Sequence, residues 1–107
     1  MYQFPELLRK IRIESGLTQS EFAKVLGIST VLISMIETKQ KAVSKGFIIK
    51  LADKLGVQPS SIMPFVFMEE SPDLKAMSGL EKSLMDLGEK MQNYLIKKKA
   101  KKLKMHV

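Results

Sequence analysis

The segment between Thr18 and Glu37 restricts the fold more than any other part of the chain, because it predicts two short helices joined by only about three residues. Thr18 and Glu21 have the spacing of a capping box, which starts a helix that runs to Leu26. Gly27 ends that helix, at a point where a left-handed backbone conformation costs glycine little. Ser29 is a favourable N-cap for the second helix. Two helices with so short a connection must cross steeply.

Similar signals predict three more helical segments before residue 64. Pro5 opens a stretch over 6–15 whose apolar residues recur with helical period, and Gly16 follows it. Ser44 caps a helix that Gly56 ends, and Pro59 begins a last short turn. Only residues 65–67 suggest the period-two alternation of a strand. The sequence therefore predicts an all-α fold with five short helices in its first part.

Composition argues against an enzyme and against a metal site. The chain of 107 residues has no cysteine, and its single histidine is His106, next to the last residue. We therefore expect no catalytic residues, no metal and no cofactor, since neither a histidine-based triad nor a zinc cluster can be assembled. Gly46 belongs to no phosphate-binding loop. No apolar run is long enough for a membrane span and no signal peptide opens the chain, which predicts a cytoplasmic protein.

A longer pattern runs through the first four predicted helices. Its residues are Leu8, Arg9, Arg12, Gly16, Leu17, Thr18, Gln19, Phe22, Ala23, Leu26, Gly27, Ile28, Ser29, Ile33, Ser34, Ile36, Glu37, Lys50, Leu51, Ala52, Leu55, Gly56 and Val57. This pattern resembles the phage-repressor/Cro-type (XRE-like) helix-turn-helix family over residues 6–63. The resemblance implies a five-helix, lambda-repressor-like domain that binds double-stranded DNA as a dimer on palindromic operators. It also implies that the helix from Thr30 to Glu37 enters the major groove.

The resemblance further implies which residues contact DNA. Gln19, Ser29 and Ser34 match positions at the DNA backbone, and Thr30, Val31 and Met35 match positions that face base edges. With their neighbours and the loop that follows, the expected DNA-binding residues are Thr18, Gln19, Ser29, Thr30, Val31, Leu32, Ser34, Met35, Thr38, Lys39 and Lys41. Glu37 matches a structural acid, for which Arg12 is the candidate partner.

Two departures from the family pattern affect the expected DNA contacts. The family commonly has Asn-Gly after its glutamate, whereas here Thr38 and Lys39 follow Glu37. The groove-facing positions are also apolar and lack the Arg, Asn or Gln that pairs with a base through two hydrogen bonds. Specificity would then depend on thymine methyl groups, hydroxyls, Gln19 and the shape of the DNA. The alternative is that this apolar face is buried or binds a protein.

The charge distribution divides the chain into three parts. Residues 1–68, the expected DNA-binding domain, have a net charge of +4, residues 69–96 have −3, and residues 97–107 have +6. The middle part predicts an amphipathic helix with a heptad seam. For a dimer or partner interface the candidates are Phe65, Phe67, Met77, Leu80, Leu84, Leu87 and Met91, with Tyr94 next in the seam. The alternative is a helix folded back on its own domain.

The lysine-rich C-terminal end and the expected partners lead to a functional hypothesis with two alternatives. Residues 97–107 are expected to be a flexible, solvated tail. Its lysines would either add non-specific phosphate contacts or act as a tether or partner contact. The favoured function is a sequence-specific transcriptional repressor, homodimeric and associated with the nucleoid. A variant of this function is the antitoxin of a toxin–antitoxin pair, whose C-terminal segment also holds the toxin. The alternative from another class is a protein-interaction module on a helix-turn-helix scaffold.

Overall fold

The computed structural model describes residues 2–70 and 80–106, without the side chains of 67–70 and 80–85. Every regular element in these ranges is helical, which confirms the all-α prediction. The elements are α1 (Phe4–Ser15), α2 (Gln19–Leu26), α3 (Thr30–Glu37), α4 (Lys45–Leu55), a 3₁₀ turn (Pro59–Ser61), α5 (Met63–Glu70), α6 (Leu80–Tyr94), a π-helical turn (Leu95–Lys99) and α7 (Lys101–Lys104).

Local capping signals determine where the first four helices begin and end. The side chains of Thr18, Ser29 and Ser44 each accept a hydrogen bond from a backbone N–H in the first turn of the helix they cap. These three predicted N-caps are confirmed. α1 begins at Phe4 rather than Glu6, with Pro5 in its first turn, where the missing N–H of proline costs nothing.

The apolar segment after the 3₁₀ turn is helical, not extended. Residues 65–68 lie in α5, so the suggestion of a strand at 65–67 is wrong. Phe65 is only 4% exposed and belongs to the hydrophobic core together with Ile62. Its side chain is therefore not offered to a second subunit, contrary to its place among the interface candidates. Burial within its own domain removes the same apolar area from water without needing a partner.

The C-terminal part of the chain folds back onto the N-terminal part. Gln92 is 1% exposed, and its side-chain amide is paired with the backbone of Tyr2 in both directions. The Tyr2 N–H donates to Gln92 Oε1 at 2.9 Å, and Gln92 Nε2 donates to the Tyr2 carbonyl at 2.7 Å. Both polar ends of a buried amide are thus satisfied. This arrangement matches the fold-back alternative for the end of the predicted amphipathic helix, residues 92–96.

The lysine-rich segment differs from the flexible tail that its composition suggests. Leu95, Ala100 and Leu103 are fully buried against α1 and α4. In the π-helical turn the Ala100 N–H donates to the Leu95 carbonyl at 2.8 Å, and this wider turn places the two residues on one face. Burial of the few apolar residues among the lysines therefore keeps the segment packed on α1 and α4.

The heptad seam is only partly covered by the domain. Met91 packs against the core, whereas Leu87 is 62% and Tyr94 is 45% exposed. The side chains of Leu80, Leu84 and Phe67 and the whole of Met77 lie outside the described residues. α6 thus turns one face to its own domain and leaves at least Leu87 and Tyr94 of the seam at the surface.

Candidate nucleic-acid interface

The junction between α2 and α3 has the steep geometry that the short connection predicts. α3 turns by 111° from the direction of α2, which lies within the range of about 90–120° usual for DNA-binding helix pairs. Gly27 adopts a φ of 68°, and the Ile28 N–H donates to the Ala23 carbonyl at 3.0 Å. Ala23 is 2% exposed, so its small side chain lies where the helices meet. The left-handed glycine is confirmed.

The start of α2 is fixed by a reciprocal pair of hydrogen bonds. The Glu21 N–H donates to Thr18 Oγ1 at 3.1 Å, and the Thr18 N–H donates to Glu21 Oε1 at 3.0 Å. Hydrogen bonding from the Thr18 backbone, and then from its side chain, lowers the pKa of the Glu21 carboxyl. The ionised form of Glu21 is therefore favoured at the N-terminus of α2, where the helix dipole also favours negative charge.

α3 divides cleanly into a buried face and an outward face. Ile33 and Ile36 are in the core, at 0% and 2% exposure, whereas Val31 is 67% exposed. Beside Val31 on the outward side, Thr30 is exposed and Met35 is half-buried. An apolar side chain exposed to this degree on a short, well-fixed helix is available to the major groove or to another protein.

A hydrogen-bonded cluster joins the ends of α1, α2 and α3. Arg12 Nε donates to Glu37 Oε2 at 2.9 Å and Arg12 Nη2 donates to Glu37 Oε1 at 3.1 Å, which confirms the predicted pair. The side chains are 14% and 4% exposed, so the charge of Glu37 is largely removed from water and depends on this partner. Arg12 Nη1 also donates to the Leu17 carbonyl at 3.1 Å.

Gln19 belongs to the same cluster, which the sequence did not indicate. Its Nε2 donates to Glu37 Oε1 at 3.3 Å, from the first residue of α2 to the last residue of α3. The amide that the family resemblance assigns to DNA is therefore oriented by Glu37. Gln19 Oε1 and the second N–H of the amide are the groups that the Glu37 bond does not use.

The polar side chains around α3 are partly engaged within the protein. Ser29 Oγ accepts from the Leu32 N–H at 3.1 Å, and Thr38 Oγ1 donates to the Ser34 carbonyl at 2.8 Å. The hydroxyl hydrogen of Ser29 remains able to donate to a phosphate oxygen. The hydroxyl hydrogen of Thr38 is already used, so Thr38 is better suited to ending α3 than to donating to DNA.

The loop after α3 follows a left-handed path although it has no glycine there. Lys39 has a φ of 65°, and its N–H donates to the Ile36 carbonyl at 3.1 Å. Its Nζ donates to Gln3 Oε1 at 2.8 Å, which ties the loop to the residue before α1. Gln3 gave no signal in the sequence, because the pair is separated by 36 positions. Lys41 is exposed in the same loop.

Replacing Lys39 by glycine is expected to raise the free energy of unfolding by up to about 1 kcal/mol. A side chain in the left-handed region costs roughly 1–2 kcal/mol, of which the greater freedom of glycine in the unfolded chain cancels about 0.4–1. Loss of the hydrogen bond from Lys39 to Gln3 cancels about 0.5 kcal/mol more. Urea unfolding of K39G and of the control K41G checks this, since Lys41 has no positive φ. If K39G and K41G lower the free energy of unfolding by the same amount, the left-handed backbone at Lys39 is not strained.

Outside α3, a cleft and the titratable side chains are the other features that could form a site. Among the side chains that the structure describes, no group of three or more from His, Cys, Asp and Glu is placed to hold a metal ion. A cleft of about 420 Å³ between the end of α4 and α6 is lined by residues that include Gly56, Met91 and Tyr94, none of them on α3. No single helix of the described part is long and apolar enough to cross a membrane, and only the bent pair of α2 and α3 reaches that length and composition.

Comparison with known proteins agrees with this geometry. A family model described as helix-turn-helix matches residues 8–62, just over half of the chain. The matched range covers most of α1, all of α2, α3 and α4, and the 3₁₀ turn. A search of curated proteins and a search of solved structures found no match.

Proposed function

Because the chain belongs to the XRE-type helix-turn-helix family and is a DNA-binding regulator of that type, we propose that it represses transcription as a homodimer on a palindromic operator. The observation that carries the proposal is the outward face of α3, where Thr30 and Val31 are exposed in the first turn, directly after the 111° bend from α2. The polar residues Gln19 and Ser29 lie at the starts of α2 and α3, where a phosphate backbone passes in such complexes.

The apolar character of α3 suggests how the operator is distinguished. The side chains of Val31 and Met35 present methyl groups, which make favourable contact with the thymine C5-methyl group. Without an Arg, Asn or Gln on this face, each base contact carries less discrimination than a pair of hydrogen bonds would. We therefore propose that the operator is rich in A·T pairs at the centre of each half-site and that DNA shape adds to specificity.

The dimer interface is proposed on the exposed part of α6. Leu87 and Tyr94 are 62% and 45% exposed and lie two helical turns apart on the same seam. Two copies that share this face would be related by a twofold axis, as a palindromic operator requires. An antitoxin would use the same face for a toxin and would bind DNA in the same way. A protein-interaction module would use α3 itself and would fail the DNA-binding test.

The test uses the full-length purified chain and duplex DNA. We expect selection from random duplexes of about 30 base pairs to yield an inverted repeat, with half-site centres about 10 base pairs apart. Binding to the selected duplex should weaken steeply as salt rises, because counterions are released. Sedimentation of the complex should give two chains per duplex. Failure to enrich any sequence, with weak and uniform binding to all duplexes, would rule out the sequence-specific repressor.

A further inference from the structure

The lysines of the C-terminal segment occupy fixed positions on the folded domain. They belong to the π-helical turn and α7, whose apolar residues Leu95, Ala100 and Leu103 are fully buried. Packing against α1 and α4 sets which face of α7 points toward each neighbouring element. The positive charge therefore lies on one surface of the folded domain and is not spread along a flexible tail.

Lys104 lies at the junction of α1 and α2. Its Nζ is 3.5 Å from the position that a Cβ atom on Gly16 would occupy, and Gly16 is the residue that ends α1. The charge of Lys104 also contributes to the lowered pKa of Glu21 in the first turn of α2. Both observations place the ammonium group beside the N-terminal end of α2.

That end of α2 adjoins the surface proposed to contact DNA. Gln19, the first residue of α2, donates to Glu37 at the end of α3. Lys101 precedes Lys104 by three positions on α7, and residues with this spacing lie on one side of a helix. In the described part of the chain, no carboxylate lies within 4.0 Å of either ammonium group. Neither charge is held in a direct ion pair with a described residue, although Glu21 attracts Lys104 at longer range. Both charges thus extend the edge of the interface.

We propose that Lys101 and Lys104 form an accessory contact with the phosphate backbone of DNA that flanks the half-site, beside the N-terminus of α2. This proposal rests on the proposed DNA binding and adds residues from outside the matched helix-turn-helix domain to it. Contacts of this kind hold the protein on the duplex and carry no sequence information. Their removal should therefore weaken binding to the operator and to unrelated duplexes by the same factor.

The test compares two double variants with equal loss of charge. K101Q/K104Q removes the proposed contact, and K98Q/K102Q is the matched control, because Lys102 Nζ lies over Gly56 at the end of α4 instead, 3.1 Å from its Cβ position. Binding is measured against salt on the selected operator with about one helical turn of flanking DNA on each side. Because two chains bind each duplex, K101Q/K104Q removes four phosphate contacts, and we expect it to lower the slope of log K against log salt by about 3.6, at about 0.9 for each contact. The control should lower the slope by less than about 0.6.

The other outcomes separate the two proposals. Wild-type protein that binds with a steep salt dependence, together with a K101Q/K104Q variant of unchanged slope, overturns the accessory contact and leaves the proposed function standing. Equal losses in both double variants also overturn it, because they indicate an effect of net charge alone. No salt-dependent binding by the wild type refutes the proposed function itself. The variant K101R/K104R, which keeps both charges, should retain the wild-type slope, and circular dichroism checks that each variant is folded.

Discussion

V31E is expected to weaken operator binding on the order of 100-fold while leaving the fold intact. A carboxylate on α3 would enter a groove lined by phosphates, where repulsion between unit charges about 4 Å apart is roughly 1–4 kcal/mol. The same change removes an apolar contact with the bases. Because Val31 is 67% exposed, the new charge stays in water in the free protein. Titration of the selected duplex measures the loss, and thermal unfolding monitors stability.

Two control variants separate the position of the charge from its presence. I13E adds the same charge to another exposed apolar residue, 56% exposed in the last turns of α1, and should change affinity by less than about fivefold through long-range repulsion. V31A removes the apolar contact without adding charge and should cost about tenfold or less. If V31E and I13E weaken binding equally, α3 does not lie in the groove.

The helical boundaries of the domain could be predicted because their causes are local. Thr18 and Ser29 cap helices through hydrogen bonds to backbone groups three residues away, and such short-range geometry is written directly in the order of the residues. The bend after Gly27 follows from the same local rules. The pair of Arg12 and Glu37 spans 25 positions and was predicted only from the family resemblance.

The interior of the candidate site was less predictable, because side chains choose among several partners there. Gln19 was expected to face DNA, and its bond to Glu37 depends on the crossing of two helices that the residues alone do not specify in detail. Lys39 adopts a left-handed conformation that its own preferences oppose, since the surrounding helices impose the path of the loop. In both cases tertiary geometry overrides a local tendency.

The C-terminal segment shows why an apolar stripe does not identify what covers it. A heptad seam fits a second subunit and the parent domain equally well, since both remove the same area from water. Six lysines between positions 97 and 104 also conceal the spacing of Leu95, Ala100 and Leu103, which fits one face only when the π-helical turn is included. Gln92 is polar and would be assigned to the surface, yet it is buried by pairing with the backbone of Tyr2.

Two leucine variants in this segment compare what its buried face and its exposed face contribute to the free energy of unfolding. L95A is expected to lower the free energy of unfolding by about 2–5 kcal/mol, since it empties a fully buried site. L87A removes the same atoms from a side chain that is 62% exposed and should change the stability of the monomer by less than about 0.5 kcal/mol. Urea unfolding of both variants gives the two values.

Repeating these measurements at several protein concentrations shows whether each leucine packs within its own chain or against a second chain. The loss in L95A should be the same at every concentration, because Leu95 packs within one chain. The loss in L87A should grow with concentration if Leu87 lies in the dimer, since association stabilises only the folded wild type. A value for L95A within about 0.5 kcal/mol of wild type would mean that the segment does not pack on α1 and α4 in solution. If the loss of stability in L87A does not depend on protein concentration, Leu87 does not lie in the dimer interface. The twofold axis of the operator would then be matched by a surface other than this face of α6.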